Sequence, residues 1–153
     1  MNISALHPYL RTKSDTIALI QLLEKLEKEI FKEPFDFSKI LKTKAPYELS
    51  AVIQKLITEA NIKVSNRNAL QKLLTEINNQ VATLPVVHII VPLSPTENHL
   101  KIMHDWFFQN YKKTVILDIS VDPSLIGGCV VSFGGRANDY SLKNRIEQMQ
   151  TSD

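Results

Sequence analysis

Cysteine and glycine are scarce in this 153-residue chain, with one of the first and four of the second. The lone Cys129 can form no internal disulfide and supplies no Cys-x-x-Cys pair for a metal or redox centre. It opens the apolar run CVVSF, where a small buried residue is expected and nothing cationic activates a thiol. Long hydrophobic runs are missing too. Stretches such as VVHIIV, residues 86–91, fall far short of the roughly 20 apolar residues that span a bilayer. The opening MNISALHPYLRTKSD has neither an apolar signal core nor an Arg-rich transit pattern, so a cytosolic chain is expected. Charge of one sign is also lacking. The formal net charge is +2, with twelve Lys/Arg against nine Asp/Glu in residues 1–85 and six against seven in 86–153. A nucleic-acid partner would call for a concentrated basic face, and none is present.

The remaining composition, 44% hydrophobic and 22% charged, is globular. The first half has helical periodicity. After Ser14 or Asp15 as N-cap, Ile17, Ile20, Leu22/Leu23, Leu26 and Ile30 recur at helical spacing, and Pro34 closes the segment. A short helix is expected near Ser38. Pro46 opens another, with Leu49, Val52, Ile53, Leu56 and Ile57 on one face and an end near Asn61. A further helix starts at Ser65 or Asn66 and runs toward Pro85. Each has one apolar stripe to bury.

The period changes at Pro85. Residues 86–91 are β-branched and nearly continuous, which predicts a strand covered on both faces. Ser94 and Pro95 then form a cap-and-first-turn pair for a helix to about Tyr111. Strands follow at 114–121 and 127–133, with a short one near 136–139, and a helix closes the chain. The expected fold class is α+β: an N-terminal α-helical bundle, 1–85, and a small α/β domain, 86–150, in the order β-α-β-β-(β)-α. The span between the first two strands is long enough for a parallel crossover.

The glycines fall in two pairs. Gly127-Gly128 precedes a strand rather than a helix, and neither pair is followed by Lys-Ser/Thr, which excludes a phosphate-binding loop. Gly134-Gly135 has the composition of a tight hairpin turn, Gly127-Gly128 marks a bulge or close backbone approach, and Asp139 or Ser141 caps the last helix. His99 and His104 are five apart, the wrong spacing for a zinc helix, and no metal or cofactor is expected. His88 has the setting of a core-edge histidine. Asp105, Asp118 and Asp122 are not paired at any defined spacing, and Ser132 lies in a hairpin strand rather than a nucleophile elbow. In HDWFFQNY one helix face cannot bury Trp106, Phe107, Phe108 and Tyr111 together, which leaves Trp106 as a candidate partner anchor.

The stretch VDPSLIGGCVVSFGGRANDYSLKNRIEQM resembles the C-terminal signature of the delta subunit of bacterial F-type ATP synthases, the family of the oligomycin-sensitivity-conferring protein. The matching positions are Asp122, Pro123, Leu125, Ile126, Gly127, Gly128, Asp139, Ser141, Leu142, Arg145 and Ile146, with Gly134 and Gly135 at the family's glycine-containing turn. The resemblance implies a non-catalytic connector of the peripheral stalk, on the cytoplasmic side of a bacterial plasma membrane without inserting into it. It also implies two partners: the alpha subunits of the catalytic head for the N-terminal helices, and the b-type stalk subunit for the C-terminal domain. Arg145 joins Trp106 as a tentative partner contact. The family usually has a bundle of about six helices, and 85 residues hold three or four. A stand-alone adaptor, an E-type stalk subunit of archaeal or vacuolar-type ATPases, and a small enzyme with an unrecognised site are the alternatives.

Overall fold

The computed structural model describes residues 3–151, which divide into two compact units. The first comprises residues 3–10 and Ser14–Leu84; the second comprises Arg11–Lys13 and the chain from Pro85 onward.

In the first unit a 3-10 helix, Ile3–Tyr9, precedes four α-helices: α1 (Lys13–Ile30), α2 (Phe37–Lys44), α3 (Tyr47–Glu59) and α4 (Arg67–Ala82). The helix α1 begins one residue before the expected caps, so Ser14 and Asp15 lie in its first turn, where an acid still favours the helix dipole. It stops at Ile30, ahead of Pro34. Asp36 and Asn66 are the caps of α2 and α4, their side-chain oxygens accepting from the amides of Lys39 and Ala69 at 3.1 Å each. Asn61 closes α3 with a left-handed backbone, φ 52°. Each helix turns one stripe inward, and Leu23, Leu26, Ile30, Leu41, Ile53, Leu56, Leu70, Leu74 and Ile77 share one core at 0% exposure. Within it the Ser50 hydroxyl reaches the carbonyls of Leu41 (3.2 Å) and Ala45 (3.3 Å) at the end of α2. Arg67 stacks over Phe35 at 4.5 Å while pairing with Glu33.

The second unit is built on a four-stranded mixed sheet, β1 (Val86–Val91), β2 (Ile116–Val121), β3 (Val130–Phe133) and β4 (Arg136–Asp139), in the order β2-β1-β3-β4. The parallel β1–β2 pair is connected through α5 (Glu97–Tyr111), and the chain ends in α6 (Leu142–Gln150). An N-terminal bundle followed by a mixed sheet with interspersed helices is the α+β architecture the sequence predicts. Val87, Ile89, Leu117, Leu100 and Phe107 form the core of this unit.

Two local details differ from expectation, and a third lies outside it. β1 is covered on one face only: Val87 and Ile89 are buried, and His88 between them is exposed rather than at a core edge. The cap of α5 is Thr96, whose hydroxyl accepts from the His99 amide at 3.3 Å, in place of Ser94. The outer edge of β2 is not bare, because Thr12 bridges to Leu117 in parallel and the Leu117 amide donates to the Arg11 carbonyl at 2.8 Å. A three-residue strap thereby shields part of an edge that would otherwise be open to strand pairing.

Replacing Leu74 with alanine is expected to cost about 2–5 kcal/mol through lost transfer energy and a residual cavity. Urea denaturation followed by far-UV circular dichroism checks this, since four of the six α-helices among the described residues lie in the first unit.

Candidate partner interface

Between Asp122 and Ser141 a short series of side-chain and backbone hydrogen bonds holds the last helix in place. Asp122 accepts the Ser124 amide at 2.9 Å and starts a 3-10 turn, Pro123–Leu125, that buries Leu125. Ile126 follows with φ 68° and its side chain 64% exposed. At Gly128, φ is 73°, and a Cβ there would lie 2.2 Å from the Tyr140 carbonyl oxygen. The backbones on either side of this contact are joined by Tyr140 N to Cys129 O (2.8 Å) and Leu142 N to Gly127 O (3.0 Å). A Cβ at Gly127 would meet only the Leu142 side chain, which can move. The second pair, Gly134 (φ 58°) and Gly135 (φ 77°), forms the two-residue hairpin loop between Phe133 and Arg136.

Ser141 is the N-cap of α6: fully buried, its hydroxyl accepts from the Asn144 amide at 3.2 Å. Asp139 accepts from the Ser141 amide at 2.8 Å, and its own carbonyl receives the Asn144 side-chain amide at 3.3 Å. Hydrogen bonds from Ser141, with help from the Lys143 charge, hold the Asp139 carboxyl below the usual carboxylate range, and Ser124 and Lys143 do the same for Asp122. Both shifts are depressions. Their contribution to stability is therefore present above the ordinary aspartate range and lost as pH falls through the lowered folded values.

The helix anchored in this way buries none of its own residues. Leu142, Ile146 and Met149 are 42%, 44% and 74% exposed and, spaced i, i+4, i+7, form a single rib. The exposed Arg145 flanks it one turn on from Leu142, and Tyr140 and Ile126 are exposed at its base. Trp106, on α5, is 53% exposed and rests edge-on against buried Phe107 at 5.1 Å. Tyr111 and Phe133 pack about the same Phe107. The apolar positions of the α6 rib are visible in the spacing of LKNRIEQM, although the family signature singles out Leu142, Arg145 and Ile146 and passes over Met149.

A second cluster lies on the sheet face bearing His88. Asp118, His88 and Ser132 occupy one row across β2, β1 and β3. The His88 Nδ1 is 2.9 Å from Asp118 Oδ2, which also receives the Lys13 ammonium at 3.1 Å. The bond from Lys13 is the main cause holding Asp118 below its ordinary range, with the charges of Lys13 and His88 adding to it. Acid, imidazole and hydroxyl stand in the order of a hydrolytic triad, but Ser132 makes no hydrogen bond to His88, so the serine is not activated. Cys129 is half-buried, and burial followed by the Asp139 charge pushes its thiol up, away from reactivity.

The whole of this signature lies inside a match to the family model of the ATP synthase delta (OSCP) subunit, which extends over residues 14–152. The chain belongs to the ATP synthase delta (OSCP) subunit family. It is similar to ATP synthase subunit delta of Xanthobacter autotrophicus, 32% identical over 85 residues, which are 54% of this chain and 42% of that one. The match to ATP synthase subunit delta of Thermosipho africanus is 24% identical and covers 94% of this chain and 69% of the relative. That of Clostridium beijerinckii is 28% identical over 74% of this chain and 63% of its own length. The chain thus spans under half the length of the first relative and about two thirds of the other two.

Replacing Ser141 with alanine is expected to destabilise the second unit by about 0.5–2 kcal/mol, the cost of a lost N-cap. Gly128→Ala should cost more than Gly134→Ala, because a methyl at Gly134 meets nothing within 4 Å whereas at Gly128 it meets backbone. Urea unfolding followed by fluorescence of the single Trp106 ranks the three.

Proposed function

We propose that this chain is a non-catalytic connector of the peripheral stalk of an F-type proton-translocating ATP synthase. In this reading the N-terminal helices grip the alpha subunits of the catalytic head, and the C-terminal unit grips the b-type stalk subunit. The pair of contacts resists the torque of the rotor during ATP synthesis. The protein works at the cytoplasmic side of the bacterial plasma membrane as a peripheral component; no helix among the described residues is long and apolar enough to cross a membrane.

The observation that carries the reading is α6, a helix tied down by polar caps while its apolar rib remains uncovered. Such a face matches a partner helix laid along it, with Leu142, Ile146 and Met149 as anchors. Burying such a side chain from full exposure gains about 1.5–3 kcal/mol; Met149 stands to gain most of that and Leu142 and Ile146, already more than half covered, under half, with part cancelled by the cost of association. Arg145 at the rib's flank and Trp106 on α5 are the residues proposed to add specificity, since arginine and tryptophan are enriched at binding hot spots. On the first unit, Ile17, Phe31 and Tyr47 are exposed apolar side chains available to the head.

The test uses the full chain carrying Ile146→Asp and Met149→Asp, with binding measured separately to the catalytic head and to the C-terminal helix of the b-type stalk protein. Stalk affinity is expected to fall by at least about a hundredfold, from two lost anchors at about 1.4 kcal/mol per tenfold, with head binding unchanged. Undiminished stalk binding by a folded double variant would overturn the assignment of this face. If the unmodified chain binds neither target, the stand-alone adaptor reading replaces the connector.

A further inference from the structure

Where the C-terminal end of α5 meets the β3–β4 hairpin, aromatic rings and uncompensated positive charge come together. Phe133 and Arg136 are paired directly across the hairpin, so their side chains share one face of the sheet, the face packed against α5. There the ring of Tyr111, the last residue of α5, meets the Phe133 ring edge-on at 5.1 Å and stacks on buried Phe107 at 5.8 Å. Tyr111 is still 48% exposed. Lys112 and Lys113 follow it in the chain, and both are exposed, as is Arg136. No side-chain hydrogen bond or ion pair engages any of these three cations among the described residues. Acids are absent from the corner: residues 106–113 contain none. Glu97 and Asp105, on earlier turns of α5, pair with Arg11 and Lys101. The strand acids take the opposite face of the sheet, Asp118 in register with His88 and Ser132, and Asp139 alternating away from Arg136 along β4.

We infer that this corner is a docking surface for an acidic protein segment that carries an apolar residue beside its carboxylates. The charge is one-sided and unused by the fold, so an acidic partner supplies the missing complement. Arg136 offers a planar fork of donors that matches the two oxygens of a carboxylate, and the two lysines add mobile ammonium groups. Tyr111 supplies the anchor: its ring is held in place by Phe107 and Phe133 and leaves about half of its surface for a partner side chain to cover. A nucleic acid is the poorer match. Three cations neutralise few phosphates, and residues 86–153 carry six Lys/Arg against seven Asp/Glu. The corner has no residue in α6, so this surface and the stalk-binding face stand or fall separately.

The experiment titrates the full, isotope-labelled chain at low salt and follows backbone amide shifts by NMR. Four probes are compared: the capped peptide acetyl-Glu-Glu-Leu-Phe-Glu-Glu-amide, its counterpart with every Glu replaced by Gln, acetyl-Glu-Glu-Gly-Gly-Glu-Glu-amide, and a thymidine hexanucleotide. The first peptide is expected to shift the amides of Tyr111, Lys112, Lys113 and Arg136 saturably. It is expected to bind at least about tenfold more tightly than the Gln peptide and about threefold more tightly than the Gly-Gly peptide. The double variant Lys113→Gln, Arg136→Gln changes two exposed side chains and spares Lys112, whose left-handed backbone (φ 55°) closes α5. With its spectrum unchanged elsewhere, it is expected to bind the Glu and Gln peptides within about threefold of each other. Equal binding of those two peptides by the unmodified chain, or an undiminished preference in the double variant, overturns the acidic partner. A Gly-Gly peptide that binds as tightly as the first overturns the apolar anchor. Tighter binding of the hexanucleotide overturns the assignment to a protein segment, and shifts confined to other surfaces overturn the corner itself.

Discussion

The close passage of the Gly128 backbone beneath the Tyr140 carbonyl is the constraint on which the C-terminal unit depends. At 2.2 Å from that oxygen there is no room for a β-carbon, and the positive φ would strain any side chain placed there. Because the two backbones come so near, short hydrogen bonds between residues 127–129 and 140–142 can form on both sides of the contact. Those bonds fix where Ser141 sits, and Ser141 fixes where α6 begins. A helix with no buried residue thereby acquires a defined start without giving up its apolar face to the fold. Scarcity of glycine elsewhere makes the same point: three of the four glycines sit where the backbone turns left-handed, and Gly127 sits beside one of them, against the Leu142 side chain.

The N-terminal unit solves a different problem by ordinary means. Four helices, each with one apolar stripe, share a core of leucine and isoleucine, and capping by Asp36 and Asn66 sets where α2 and α4 start. That core needs no special backbone geometry, so its energetics are those of volume and burial. In the proposed connector the two halves have matching logic: the bundle offers outward side chains from a self-sufficient core, and the sheet unit offers a helix that its own core does not consume.

Much of this was legible in the residues. The Gly134-Gly135 turn, the succession of four strands and the terminal helix followed from local chemistry, because turn residues act at fixed offsets and caps at fixed positions. Patterning was weaker where two environments share a composition. VVHIIV reads as a strand buried on both faces, yet only Val87 and Ile89 turn inward and His88 faces out. The cap of α5 is Thr96 rather than Ser94, since either hydroxyl can start a helix and the residue types alone do not choose between them. Two features lay beyond any local pattern. The Asp118–His88 pair depends on the parallel register of β1 and β2 across a helical crossover, and the Arg11–Thr12 strap is too short to carry a strand signature. The family resemblance suggested the proposed role, whereas the rib at Leu142, Ile146 and Met149 is written in the spacing and gains its meaning from the fact that no residue of α6 is fully buried.

The most direct measurement is amide hydrogen exchange across α6 in the full chain, alone and with the C-terminal helix of the b-type stalk protein bound. The account predicts measurable exchange along α6 in the free chain and strong slowing from Leu142 to Met149 in the complex, with the Gly127–Gly128 contact already protected in both. Binding that leaves α6 exchanging at its free rate while slowing another surface would contradict it.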